Sequence, residues 1–97
     1  MYIGIDLGTT GCKAVLYDSE GSVLSEFNKE YSLICRDGLV EQDAEMWWSL
    51  VTEALLFVTK EHGGDGVRGI SVSTQGIAVV PVDAEGHTLA NAISWLD

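Results

Sequence analysis

The alternation of hydrophobic and polar positions predicts three strands in the first third of the chain. A short apolar run with β-branched residues covers residues 2–7 and is ended by Gly8. A second run covers residues 13–18, and the polar turn at 18–21 contains Gly21, a residue that tolerates positive φ. Residues 22–31 alternate loosely and form a third run. Because short turns join these runs, the three strands are expected to be consecutive and antiparallel.

A helix follows, and its apolar stripe is the clearest pattern in the sequence. Asp43 is a favourable N-cap residue, and Glu45 lies in the first turn, where negative charge is stabilised. Apolar residues then recur at helical spacing: Trp47, Leu50, Val51, Ala54, Leu55 and Val58. Gly63 and Gly64 predict that the helix continues to residue 62 and stops there. Three more apolar residues widen this face and predict a helix covered on more than one side: Trp48, Leu56 and Phe57.

The remaining segments are predicted to contain a loop, two strands and a hairpin turn. Residues 36–42 are largely polar and contain an Asp-Gly pair, which predicts a loop before the helix. Residues 67–74 and 77–82 predict a fourth and a fifth strand, separated by Gln75 and Gly76. Residues 83–86 form a second turn sequence of the Asp-x-Glu-Gly kind, and Pro81 predicts an edge position or a bulge.

Composition narrows the classes of function. The chain has 97 residues and a mass of 10.5 kDa, which corresponds to one small domain at most. Lys and Arg number 5 against 15 Asp and Glu, so the formal net charge is −10. This charge argues against nucleic-acid and polybasic membrane partners, and no apolar stretch reaches the roughly 20 residues of a transmembrane helix. The N-terminus lacks the features of a signal peptide.

The two cysteines favour a cytoplasmic protein. Cys12 and Cys35 are far apart, and neither a Cys-x-x-Cys pair nor a histidine cluster accompanies them. A metal site built on these thiols is therefore not expected. Two reduced thiols in the cytoplasm are favoured over the alternative, a single disulfide.

The segment at residues 6–13, Asp-Leu-Gly-Thr-Thr-Gly-Cys-Lys, carries the candidate chemistry. Asp6 stands at the end of an apolar strand, where Mg²⁺ or its water shell would compensate a carboxylate. Thr9 and Thr10 offer hydroxyl and amide donors to phosphate oxygens, and Lys13 places a cation nearby. An ordinary hairpin in which Asp6 caps the turn explains the same residues equally well. The segment is not a Walker loop, since no G-x-x-x-x-G-K precedes a helix. A dinucleotide-binding fold is disfavoured because G-x-G-x-x-G is absent and the next predicted element is a strand.

Residues 3–10, Ile-Gly-Ile-Asp-Leu-Gly-Thr-Thr, resemble the first phosphate motif of the superfamily that unites actin, chaperone and sugar-kinase ATPases. More narrowly, the chain resembles the N-terminus of the FGGY carbohydrate kinases, the family of xylulokinase, gluconokinase and glycerol kinase. The supporting segments follow in order along nearly the whole chain: Glu41-Gln42-Asp43, Trp47-Trp48, Ser73-Thr74-Gln75-Gly76, Val82-Asp83-Ala84-Glu85-Gly86 and Ala92-Ile93-Ser94-Trp95-Leu96-Asp97.

The resemblance implies a fold and a set of site residues. The implied fold is α/β and ribonuclease-H-like, a mixed sheet with three leading antiparallel strands and a crossover helix, of which this chain is an incomplete part. Asp6 is implied to hold the magnesium of an ATP complex. The residues implied to face the ATP phosphates are Gly8, Thr9, Thr10 and Lys13. The residues implied to line the sugar site are Gln75, Gly76, Trp95 and Asp97.

Structural alternatives accompany these assignments. Trp95 is as compatible with a core position as with a sugar site, and Gln75 is compatible with a strand cap. Trp47 and Trp48 are expected in the core. Glycerol kinases place an Arg-Glu pair after the glutamine, whereas Gly76 and Ile77 stand here. The resemblance therefore favours a xylulose-like ketose over glycerol as substrate.

Members of the resembled family are several-fold longer, and their catalytic aspartate and adenine site follow later in the chain. Residues 1–97 are therefore expected to be the first part of the N-terminal kinase domain, inactive alone and prone to self-association. ATP and a sugar or polyol are the implied partners, and a homodimeric full-length protein is compatible with the family. A chaperone or cytoskeletal ATPase and a stand-alone non-catalytic domain are the alternative functions.

Overall fold

The computed structural model describes residues 1–94 and contains eight strands and one α-helix in that range. In chain order the elements are β1 (Tyr2–Leu7), β2 (Gly11–Tyr17), β3 (Val23–Glu30), β4 (Ile34–Arg36), β5 (Leu39–Gln42), α1 (Ala44–Val58), β6 (Gly69–Thr74), β7 (Ala78–Val79) and β8 (Ala92–Ser94). No helix in residues 1–94 is long and apolar enough to cross a membrane.

The main sheet has the strand order β3-β2-β1-β6. The first three strands are antiparallel neighbours, as predicted, and β6 lies parallel to β1. A parallel neighbour requires a crossover connection, and α1 supplies it between β5 and β6. The mixed sheet with a crossover helix is therefore confirmed.

The core lies between this sheet and one side of α1. Alternation along β1 and β2 directs every second residue, Ile3 and Ile5 on β1 and Cys12, Ala14 and Leu16 on β2, to the face that α1 covers. The buried members of this core are Ile3, Ile5, Cys12, Ala14, Leu16, Leu50, Ala54 and Val58. The apolar stripe of the helix is thus buried against the sheet, as its spacing predicts.

The prediction of a helix covered on more than one side is wrong for the described residues. Trp48 is 70% exposed, Leu56 is 68% exposed and Phe57 is 51% exposed. The expected core position of Trp48 is therefore also wrong. The sheet contacts only one face of α1, and periodicity cannot tell which apolar residues beside the stripe are covered.

The helix also ends earlier than predicted, at Val58 with Thr59 as its C-cap residue. Thr59 donates its hydroxyl to the Leu55 carbonyl, and its own carbonyl accepts from the Gly63 amide. Gly63 has a φ of +72°, so it reverses the chain after an irregular turn. The glycine signal marks the end of that turn, five residues beyond the last helical residue, Val58.

The loop predicted at residues 36–42 is instead part of a hairpin that covers residues 34–42. β4 and β5 pair antiparallel around Asp37 and Gly38, whose φ values are +53° and +78°. Two residues with positive φ match the twist of a two-residue hairpin, so the turn signal was correct and its strands were missed. β5 then pairs with β8, which gives a second sheet in the order β4-β5-β8-β7.

The predicted fifth strand is shorter than residues 77–82. β7 covers Ala78–Val79, and beyond it a single bridge joins Val82 to Thr88. The turn at residues 83–86 is confirmed, with Gly86 at a φ of +87°. Asp83 accepts the backbone N–H groups of Glu85 and His87, and the His87 N–H is the main cause that lowers the pKa of this carboxyl group.

Replacing the N-cap Asp43 by alanine is expected to lower the free energy of unfolding by about 1 kcal/mol. The Asp43 carboxylate accepts the Glu45 N–H at 3.0 Å, and alanine leaves that donor without its partner. Urea unfolding followed by circular dichroism measures the change. Asp43→Asn keeps an acceptor and is the matched control; equal losses in both variants would contradict a capping role.

Candidate functional site

The acidic and basic candidates meet on the face of the main sheet opposite α1. Asp6 is paired in register with Lys13 on β2 and with Ser73 on β6. All three line one open pocket, whose floor includes Gly4 and Val15. Within residues 1–94 neither Asp6 nor Lys13 forms an ion pair. An exposed carboxylate oxygen and an exposed ammonium group are therefore presented together on this face.

The turn between β1 and β2 is held by its carbonyl groups. The Gly8 N–H donates to the Gly11 carbonyl at 2.9 Å, which closes the turn. The Gly8 carbonyl accepts from the Tyr31 hydroxyl, the Thr9 carbonyl from Gln42 Nε2 at 2.8 Å, and the Thr10 carbonyl from the Tyr31 N–H at 3.0 Å. Three successive carbonyl oxygens are thereby compensated, which lessens their repulsion of an anion bound at the turn.

Gly11 permits close packing between two neighbouring strands, a role that the sequence does not indicate. A Cβ at this position would lie 2.7 Å from the carbonyl oxygen of Lys29 and 3.1 Å from the Cα of Glu30. Both atoms belong to the backbone of β3. The absence of a side chain therefore lets β2 and β3 approach each other, and its primary role is packing within the sheet rather than room for a ligand.

Two protonated groups lie behind the turn. Burial is the main cause that raises the pKa of the Cys12 thiol, and the Asp6 charge adds to it. Burial likewise raises the pKa of Tyr31, with smaller contributions from Cys12 and Asp6. Tyr31 thus keeps its proton at neutral pH and donates it to the Gly8 carbonyl, while Cys12 stays an unreactive thiol.

The second group of candidates lies where β6 ends. Gln75 continues β6 by donating its N–H to the Leu7 carbonyl at 2.9 Å, so it stands beside the start of the turn. Gln75 and Gly76 line a pocket with Trp47 and Leu7. Two residues that line this pocket each carry a buried polar atom without a hydrogen-bond partner in the described part of the chain: the acceptor Gln75 Oε1 and the donor Trp47 Nε1. Trp95 and Asp97 lie outside the described residues.

Comparison with known proteins decides the family. The model of the FGGY family of carbohydrate kinases, N-terminal domain, matches residues 1–97. The chain belongs to the FGGY family of carbohydrate kinases.

Relatives of different substrate classes resemble the chain to a similar degree. The xylulose kinase of Escherichia coli K12 is 33% identical over 100% of this chain and 20% of its own length, and the glycerol kinase of Aquifex aeolicus is 33% identical over 98% and 20%. The crystal structure of gluconate kinase from Lactobacillus acidophilus has a TM-score of 0.89 at 33% identity, covering 99% of this chain and 20% of that one. The chain thus spans about a fifth of its relatives' length. These neighbours confirm the ribonuclease-H-like, actin-like ATPase fold.

Sequence reasoning missed three residues that contact the turn between β1 and β2 or line the pocket of Gln75. Gln42 and Tyr31 hold its carbonyl groups, and the indole of Trp47 lines the pocket of Gln75. Gln42 and Trp47 stand in segments that carry the family resemblance, which was the available signal for them. Tyr31 appears in the sequence only as one apolar position of a loosely alternating strand.

Proposed function

We propose that the full-length protein is an ATP-dependent kinase that transfers the γ-phosphate of ATP to a hydroxyl group of a sugar or polyol. The observation that carries this proposal is the joint position of Asp6, Lys13 and Ser73 in one open pocket beside the turn. Phosphoryl transfer depends on positioning the reactants and on neutralising phosphate charge. The exposed Asp6 carboxylate suits a metal cation, and the Lys13 ammonium group beside it suits a phosphate anion.

Mg²⁺ and the ATP phosphates fit these residues by the chemistry of their donors. The Asp6 carboxylate offers hard oxygen ligands, which Mg²⁺ prefers, directly or through its waters. Lys13 supplies a positive charge to the phosphate oxygens. The phosphates would lie against the turn formed by Gly8, Thr9 and Thr10. When bound, Mg²⁺ neutralises charge that develops on the phosphates; the chain itself holds and orients them.

The sugar site is proposed at Gln75 and Gly76, with Trp95 and Asp97 as further members. The unpartnered acceptor of Gln75 and the unpartnered donor of Trp47 support a ligand with hydroxyl groups, which donate and accept at once. A xylulose-like ketose is favoured over glycerol because Gly76 and Ile77 replace the Arg-Glu pair of glycerol kinases. Identity does not choose between them, since xylulose kinases of 31% to 39% identity and glycerol kinases of 32% to 33% identity overlap in range.

Residues 1–97 are proposed as the first part of the N-terminal domain of a cytoplasmic enzyme. One wall of a cleft cannot surround a transferring phosphate, so the catalytic aspartate and the adenine site are assigned to the rest of the protein. The free thiols Cys12 and Cys35 are compatible with a reducing compartment. Exposed apolar residues such as Leu56 and Ile70, 68% and 54% exposed, support self-association of these residues when they are isolated.

The full-length protein, assayed with Mg²⁺-ATP, is expected to phosphorylate xylulose with a higher kcat/KM than gluconate or glycerol. Coupled measurement of ADP release over this panel tests the proposal. Residues 1–97 alone serve as the control and are expected to give no sugar-dependent ADP. Absence of phosphoryl transfer to every sugar and polyol would contradict the kinase function, a preference for glycerol would contradict the proposed substrate, and turnover by residues 1–97 would contradict their inactivity.

A further inference from the structure

Gln42 is a buried polar residue at the end of β5, with only 1% of its surface exposed. Burial of an amide is unfavourable unless its donor and acceptor are both paired. Gln42 Nε2 donates to the Thr9 carbonyl at 2.8 Å, and Gln42 Oε1 accepts from Gln75 Nε2 at 2.7 Å. Each of these partners is 33 residues away along the chain. The side chain of Gln42 therefore joins the turn after β1 to the residue that follows β6.

The direction of both hydrogen bonds is fixed by chemistry. A backbone carbonyl only accepts, so the Gln42 amide must direct its NH₂ group towards Thr9. The Gln42 oxygen then faces Gln75, which must donate a hydrogen bond from its own NH₂ group. These two hydrogen bonds, from Gln42 to Thr9 and from Gln75 to Gln42, form a relay whose last atom is the oxygen of Gln75. This oxygen is buried without a hydrogen-bond partner in residues 1–94. Reversal of either amide would place two acceptors or two donors against each other.

We propose that Gln42 is a positioning residue that makes Gln75 an acceptor for a hydroxyl group of the sugar. This inference rests on the proposed function and adds to it the polarity of one contact. The Gln75 carboxamide has two possible orientations. Only the one set by Gln42 leaves the oxygen of Gln75 available to a ligand; the other would leave its NH₂ group. Trp47, which lines the same pocket, adds an unpartnered donor, Nε1, to that acceptor. An uncharged polyhydroxylated ligand satisfies both atoms, since each hydroxyl both donates and accepts.

The test is a double-mutant cycle in the full-length protein, with Gln42→Met, Gln75→Met and the double variant. Methionine keeps a similar length and removes both polar atoms. Gln42→Met is expected to raise the KM and the calorimetric Kd for xylulose about fivefold, with the KM for ATP changed less than twofold. In the Gln75→Met background the same substitution is expected to have no further effect on the sugar, because Gln42 acts only through Gln75.

Asp43→Ala is the matched control, since it weakens the adjacent helix cap without touching the relay. It is expected to lower stability and to leave the sugar Kd unchanged. Additive effects of the two methionine variants, or parallel rises in both KM values, would overturn the inference and leave Gln42 a structural residue.

The Kd arm separates this inference from the proposed function. Sugar binding without turnover would contradict the kinase function while the cycle still tests Gln42. If the wild-type protein binds none of xylulose, gluconate and glycerol, both proposals are overturned.

Discussion

Replacing Asp6 by asparagine in the full-length protein is expected to lower kcat/KM for the sugar by about 100-fold or more. Asparagine keeps the shape of the side chain and removes the charge that the proposed Mg²⁺ site requires. Removal of a single charge-stabilising group from an active site commonly costs two to three orders of magnitude in rate. Steady-state ADP release measures the loss, and added Mg²⁺ is expected to restore part of it.

The fold is expected to survive this substitution. The Asp6 side chain is exposed on the open face of the sheet, and no ion pair in residues 1–94 depends on it. Asp65→Asn is the matched control, because it makes the same change of charge in an exposed segment between α1 and β6. Rates within threefold of the wild type for Asp6→Asn would remove Asp6 from the phosphate site.

Replacing Gly11 by alanine is expected to lower the free energy of unfolding by about 2 kcal/mol. The new Cβ would stand 2.7 Å from the Lys29 carbonyl oxygen, closer than real Cβ atoms approach such atoms. Backbone on the neighbouring strand cannot rotate away as a flexible side chain can. Relief therefore requires β2 and β3 to separate, which strains the ladder between Gly11 and Glu30.

Gly64→Ala is the control for this substitution. A Cβ at Gly64 meets no atom within 4 Å, and the residue has no positive φ. Its substitution is expected to be neutral or to stabilise the protein by up to about 1 kcal/mol through the unfolded chain. Urea unfolding followed by circular dichroism compares the two variants; equal midpoints would show that the sheet accommodates a side chain at Gly11.

Local patterns predicted the elements whose partners are near in sequence. The first three strands are joined by short turns, so their antiparallel order could be read directly. The N-cap at Asp43 and the buried stripe at Leu50, Ala54 and Val58 follow from contacts within a few residues. β4 and β5 were missed because they are only three and four residues long. Part of their sheet is supplied by β8, some 50 residues later along the chain by the Glu41–Ile93 register.

The sequence by itself determined the family, the position of the turn motif and the residue types that suit phosphate and sugar. Tertiary structure alone decided how they are held: Gln42 between Thr9 and Gln75, and Gly11 against the backbone of β3. The physical reason is that hydrogen-bond polarity and close packing join segments tens of residues apart. The hydrophobic periodicity of one segment cannot predict which donor, acceptor or backbone atom of a distant segment will contact it.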